Sequence, residues 1–169
     1  PRRRNSAGLD LSTKADRDRL AAHVAELDKL TLSAGPLIGG KLTAGAPPMP
    51  VQSPTDHDRV VGVVSEAQLP QIDQAFKLAR AAQPAWDQAG GPARAEVLRA
   101  MGDALEANIE RLCAILSREA GKTLPDAIAE VREAVDFCRY YARLAEDQFG
   151  LAGEVLTGPV GETNSLRLA

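Results

Sequence analysis

Glycine and proline divide this chain before any other property does. Between residues 35 and 58 stand Gly35, Gly39, Gly40 and Gly45, together with Pro36, Pro47, Pro48, Pro50 and Pro54. Inside a helix glycine costs about 1 kcal/mol and proline about 3 kcal/mol relative to alanine, so no long helix can form there. Short extended pieces fit instead. Leu37-Ile38 is one, and Arg59-Val60-Val61-Gly62-Val63-Val64 is another, its β-branched side chains favouring a strand. Pro54-Thr55-Asp56-His57-Asp58, just before that run, predicts a turn between strands.

On either side of the block the periodicity is helical. Leu20, Val24 and Leu27 predict a first helix at about 14–30, with Thr13 and Asp16 as a capping box. Leu69, Ile72, Phe76 and Ala79 share the face of a second, which ends near Pro84 and Trp86. Ser65 and Gln68 also match a capping box, but that start would put Pro70 in the fifth helical position. Its missing N–H places the start near 68–70. Gly91-Pro92 opens a stretch carrying Val97, Leu98, Met101, Leu105, Leu112 and Leu116 to about 119, with a break expected near Asn108 and a stop at Gly121. Thr123 and Asp126 box the start of the last helix, whose stripe is Ile128, Val131, Val135, Cys138 and Ala142, running to about 149 before Gly150 and Gly153. The tail from 164 to 169 alternates as a strand does, and residues 1–12 read as a linker.

Composition narrows the function classes. The 169 residues are 44% apolar and 25% charged, an ordinary globular balance with enough chain for a core. Alanine supplies 29 of them and aromatics only 4%, which favours closely packed helices. A net charge of −3, from 20 basic and 23 acidic residues, argues against nucleic-acid binding through bulk positive charge. No apolar run reaches the roughly 18–20 residues of a membrane span. Two cysteines make neither a disulfide framework nor a four-ligand zinc site, and they fit a reducing cytoplasm. The chain starts at Pro1 and stops within an alternating pattern, so both ends read as cut.

Several motifs fail on spacing. Gly121-Lys122-Thr123 resembles the end of a phosphate loop, but Leu116 stands where that loop needs glycine. No G-x-G-x-x-G, H-E-x-x-H or G-x-S-x-G occurs. His23 has no nucleophile or acid in company, and Asp56, His57 and Asp58 read as a solvated turn rather than a metal cluster. Cys113 and Cys138 sit among apolar residues and read as buried, inert thiols.

The last helix carries the one informative oddity. At 100° per residue Glu130, Glu133, Phe137, Tyr140 and Tyr141 gather opposite the aliphatic stripe. Two readings follow. Glu133 is a surface acid beside aromatics that cover an adjoining element, or it is a carboxylate in an aromatic-walled ligand cavity that attracts a cationic group.

Five stretches carry a family resemblance: residues 54–64, 79–86 (ARAAQPAW), 93–105 (ARAEVLRAMGDAL), 117–123 (SREAGKT) and 137–142 (FCRYYA). In order and spacing they resemble the amino-terminal part of the aldehyde dehydrogenase superfamily. Residues 3–11 (RRNSAGLDL) look like the connector between the catalytic modules of the proline utilization A family, and 119–141 is similar to its second module, a glutamate-semialdehyde (pyrroline-5-carboxylate) dehydrogenase. The resemblance implies an α/β aldehyde dehydrogenase fold, of which this piece is mostly α-helical with a few short strands. It implies linker and helix at 1–34, part of the NAD-binding domain region at 35–162, and the start of an oligomerisation flap at 163–169.

The implied activity is oxidation of L-glutamate γ-semialdehyde to L-glutamate with NAD⁺ in proline catabolism, by way of a thioester. The implied catalytic cysteine, base, oxyanion-hole asparagine and NAD contacts lie beyond Ala169, so no catalytic, cofactor or metal residue is assigned within the piece, which alone is expected to be inactive. FAD belongs to the implied upstream proline dehydrogenase module. Aligned on Arg139-Tyr140-Tyr141, Glu133 falls where the semialdehyde branch places an acid near the substrate's α-amino group, with Phe137 on the same wall. The implied partners are the small-molecule substrate, the rest of the same polypeptide, further copies in a homo-oligomer and, peripherally, a membrane; no nucleic acid is expected of this piece. The competing readings are a dehydrogenase for another aldehyde and a non-catalytic helical interaction module.

Overall fold

A computed structural model describes residues 4–150 and 154–166, which form two units. The first unit in chain order of its main elements spans 8–81 and 108–131. Its helix α1 (Lys14–Leu27) starts where Thr13 Oγ1 accepts the Asp16 N–H, and it buries Leu20 and Leu27. The Asp16 carboxylate turns to the Asp10 N–H at 2.7 Å, so only half of the expected capping box forms. Helix α1 ends before the expected residue 30, at Asp28, whose carboxylate takes both Arg59 and Arg118.

Four short strands follow in the Gly/Pro block and just before it: β1 (Leu32–Ala34), β2 (Leu37–Ile38), β3 (Lys41–Leu42) and β4 (Met49–Ser53). They lead to β5 (Asp56–Val64). The sheet order is β1-β5-β4, with β1 parallel and β4 antiparallel to β5. Proline is tolerated at Pro50 because β4 is an edge. The turn expected over 54–58 shrinks to Pro54-Thr55, because Asp56, His57 and Asp58 already belong to β5. The unit closes with α4 (Ile109–Glu119), which packs on α1 and buries Ile109, Cys113 and Ala114.

The second unit spans 4–7, 82–107, 132–150 and 154–166 among the described residues. Helix α2 (Leu69–Gln88) belongs to the first unit as far as Ala81 and to the second from Ala82, and it begins as expected, with the Gln71 side chain accepting the Gln68 N–H at 2.8 Å. Its apolar face is uncovered: Leu69, Ile72, Phe76, Leu78 and Trp86 are all exposed. In α3 (Gly90–Ala107) the predicted stripe is corrected. Val97 and Met101 lie exposed, while Gly91, Ala95 and Gly102 are buried. Small residues let α3 approach α5 (Leu124–Gln148) so closely that a Cβ on Gly102 would lie 3.2 Å from the Cβ of Cys138. The break at Asn108 falls where expected.

The hairpin β6 (Glu154–Leu156) and β7 (Asn164–Leu166) is exposed throughout. It bears out the tail strand over 164–166. Residues 167–169, the expected stop at Gly153 and the first residues of the connector, 1–3, lie outside the described residues. Residues 4–12 form neither helix nor strand, and one of them is packed. Ser6 is only 6% exposed and is bonded to α5, because its backbone N–H and hydroxyl have partners there.

Candidate functional site

Helix α5 is set by its two ends and its inner face. Thr123 Oγ1 accepts the Asp126 N–H, the N-cap half of the expected box, while the Asp126 carboxylate takes the Thr123 hydroxyl at 2.6 Å in place of the Thr123 N–H. Ile128, Val131, Val135, Cys138 and Ala142 are all buried, as the spacing predicts. Burial of one stripe fixes which residues face outward.

The outward face carries Glu133, Phe137, Tyr140 and Tyr141, all exposed. The Phe137 and Tyr141 ring centroids lie 6.0 Å apart, and those of Tyr140 and Tyr141 5.3 Å apart at 76°. Such separations and edge-on geometry suit aromatic contact, so the three rings form a continuous surface. Glu130 is neutralised by Lys122 at 2.7 Å. The Glu133 side chain is exposed and makes no hydrogen bond or ion pair among the described residues. Glu133 and Phe137 are thus brought together one turn apart.

The other residues singled out from the sequence do not join them. His23 is exposed on α1, and Asp56, His57 and Asp58 lie exposed along β5, where successive side chains point to opposite faces. Gly121 (φ 66°) ends α4 in the left-handed region, and Thr123 caps α5, so Gly121-Lys122-Thr123 is a helix–helix turn. Both cysteines are buried, and burial pushes the Cys113 thiol up to about 11 and that of Cys138 above its ordinary value. Neither suits a nucleophile at neutral pH.

Sequence reasoning missed a polar cluster beside this face. Arg139 donates to Glu106 at 2.7 Å and to Asp103 at 3.0 Å, and Glu106 also accepts the Ala7 N–H at 2.8 Å. No periodicity signals partners 99 residues apart.

A pyrophosphate cradle of the strand–glycine–helix kind needs free backbone donors at a helix start. Among the described residues the one glycine pair at a helix start, Gly90-Gly91, follows another helix instead of a strand. The Gly91 N–H is already bonded to the Phe149 carbonyl at 3.2 Å, so it offers no donor to a pyrophosphate.

The architecture is that of aldehyde dehydrogenases. A crystal structure of proline utilization A from Bdellovibrio bacteriovorus, inactivated by N-propargylglycine, matches 94% of this chain and 16% of its own length, with a TM-score of 0.83 and 28% identity. A 1-pyrroline-5-carboxylate dehydrogenase from Thermus with bound NAD matches 92% of this chain and 30% of its own, with a TM-score of 0.83 and 26% identity. In sequence the chain is 39% identical over 161 residues to the bifunctional protein PutA of Escherichia coli K12, covering 94% of this chain and 12% of that protein. Residues 42–167 match the aldehyde dehydrogenase family, and the chain belongs to that family. It spans about an eighth of the length of that PutA relative.

Proposed function

We propose that this chain is the amino-terminal part of a dehydrogenase module that oxidises L-glutamate γ-semialdehyde to L-glutamate with NAD⁺, and that Glu133 recognises the substrate's α-ammonium group. The observation that carries this reading is the unpaired Glu133 carboxylate beside an exposed wall of Phe137, Tyr140 and Tyr141. The likeness to PutA and to a pyrroline-5-carboxylate dehydrogenase supports this substrate over another aldehyde. On the same reading residues 1–34 connect and support the module, 35–162 contribute to its NAD-binding domain region, and the hairpin strand near 163–169 begins an oligomerisation flap.

What these residues do is bind and orient. A carboxylate one helical turn from an aromatic wall pairs with an ammonium group that the bound substrate brings out of water, worth about 1–3 kcal/mol. The aromatic wall covers the carbon chain of the semialdehyde and excludes water from that pair. No step of the oxidation itself runs on this chain's described residues.

The test is Glu133→Ala in the complete enzyme. KM for glutamate semialdehyde should rise about tenfold, the equivalent of ~1.4 kcal/mol, while NAD⁺ affinity stays as in the parent. Unaltered kinetics with the semialdehyde would refute the assignment.

A further inference from the structure

The amino-terminal arm, residues 4–7, is held against the same turn of α5 that carries Glu133. The Ser6 N–H donates to Asp136 Oδ1 at 2.8 Å, and the Ser6 hydroxyl donates to the Arg132 carbonyl at 3.4 Å. Arg132 Nε donates back to that hydroxyl at 3.4 Å. Ser6 therefore bridges two positions of α5, i and i+4, between which Glu133 lies. At 3.6 residues per turn Asp136 stands roughly 60° around the helix from Glu133, close enough to set its bearing but outside its ligand-facing side.

A second anchor fixes the arm to α3. The Ala7 N–H donates to Glu106 at 2.8 Å, and Arg4 pairs with the same carboxylate at 2.8 Å. Arg139, on the next turn of α5, also holds Glu106. The arm is thus tied through two backbone amides to two carboxylates, one on each helix. Backbone donors to ionised acceptors are among the stronger bonds a surface segment can make, and Ser6 is nearly fully buried in making them.

We propose that this arm is a clamp that positions Glu133 for recognition of a cationic substrate group, with Asp136 and Ser6 as positioning residues. The inference rests on the proposed role of Glu133 and adds the device that holds it. A carboxylate discriminates by where it stands, and a shift of its helical turn by a fraction of an ångström weakens a paired charge without touching the reacting carbon.

The experiment uses the complete enzyme and reads two substrates, L-glutamate γ-semialdehyde and propionaldehyde, which has no ammonium group. Asp136→Ala should speed hydrogen exchange at the Ser6 and Ala7 amides. It should also raise KM for the semialdehyde about fivefold with kcat and the propionaldehyde kinetics unchanged. Asp136→Asn keeps an oxygen for the Ser6 N–H and should restore most of the affinity. Ser6→Pro deletes the donor without altering α5 and should repeat the Asp136→Ala result, so the test stands even if Asp136→Ala disturbs the helix. Faster exchange at Ala7 with an unchanged semialdehyde KM, beside a raised KM in Glu133→Ala, overturns the clamp alone. An unchanged KM in Glu133→Ala as well overturns the recognition reading and the clamp with it. An equal rise for both substrates also overturns the clamp, since it marks general distortion.

Discussion

Arg139 on α5 and Glu106 on α3 form an ion pair at 2.7 Å with only 10% and 19% of their side chains exposed. The Arg139 guanidinium first, and the Ala7 N–H second, hold the Glu106 carboxyl down from 4.5 to about 2. A carboxyl lowered by folding stabilises the folded state fully above its unfolded pKa. That contribution drains as pH falls from about 4.5 towards about 2. Glu106→Gln should therefore cost about 2 kcal/mol near neutral pH. The Tm gap to the parent enzyme should close as the pH is lowered through that window. A gap of constant size down to pH 3 would contradict the pairing.

Asp28 is a second hub. Arg118 meets its two oxygens at 2.7 Å each, and Arg59 reaches it at 2.8 Å, which draws the end of α1 to α4 and β5. The Arg118 bonds, chiefly, hold this carboxyl below the usual carboxylate range. All three side chains keep a quarter or more of their surface exposed, so the network is screened. Asp28→Ala should cost about 1–2 kcal/mol, and Asp28→Ala with Arg118→Ala should cost less than the sum by about 1 kcal/mol. Denaturant unfolding of the four members of the cycle measures this coupling, and strict additivity would rule it out.

What could be read from the sequence depended on where each element's partners lie. The α5 stripe from Ile128 to Ala142 was legible because its partners are within the chain and burial follows the 3.6-residue period. The same rule found the apolar face of α2 but not its exposure, since periodicity shows what a helix offers and not what covers it. On α3 it chose Val97 and Met101, whereas the buried residues are Gly91, Ala95 and Gly102. Hydrophobic counting overlooks residues that pack by having no bulk. Strands β1 and β6, of three residues each, are too short to show alternation, and β1 exists through parallel pairing with the distant β5. Glu133 was legible as an acid among aromatics on one helix. The arm was not, because Ser6 is buried by what its amide bonds to, 130 residues away.

Thiol reactivity gives a third prediction. Cys113 is fully buried, and burial raises it from 9.0 to about 11, so its thiolate is scarce at neutral pH. Cys138 is 6% exposed and raised by the same cause. Iodoacetamide at pH 7.5 should leave both unlabelled in the folded enzyme and modify both in denaturant, as peptide mass spectrometry would show. Rapid labelling of either cysteine under native conditions would place it in a different environment.

The two buried glycines of α3 should respond differently to a methyl group. At Gly91 an added Cβ would lie 2.1 Å from the Ala145 carbonyl oxygen and 2.9 Å from the Phe149 backbone. Backbone atoms of a packed helix end have nowhere to go, so Gly91→Ala must push α3 away from the end of α5. At Gly102 the nearest atom is the Cys138 Cβ at 3.2 Å, a contact relieved by a few tenths of an ångström. There alanine also gains up to about 1 kcal/mol of helix propensity, which offsets much of the crowding. Gly91→Ala should therefore cost about 2–3 kcal/mol and Gly102→Ala less than about 1 kcal/mol. Denaturant midpoints of the two variants, with the slope unchanged, decide it. Equal losses at the two positions would mean that α3 and α5 are spaced more loosely at Gly91 than these distances require.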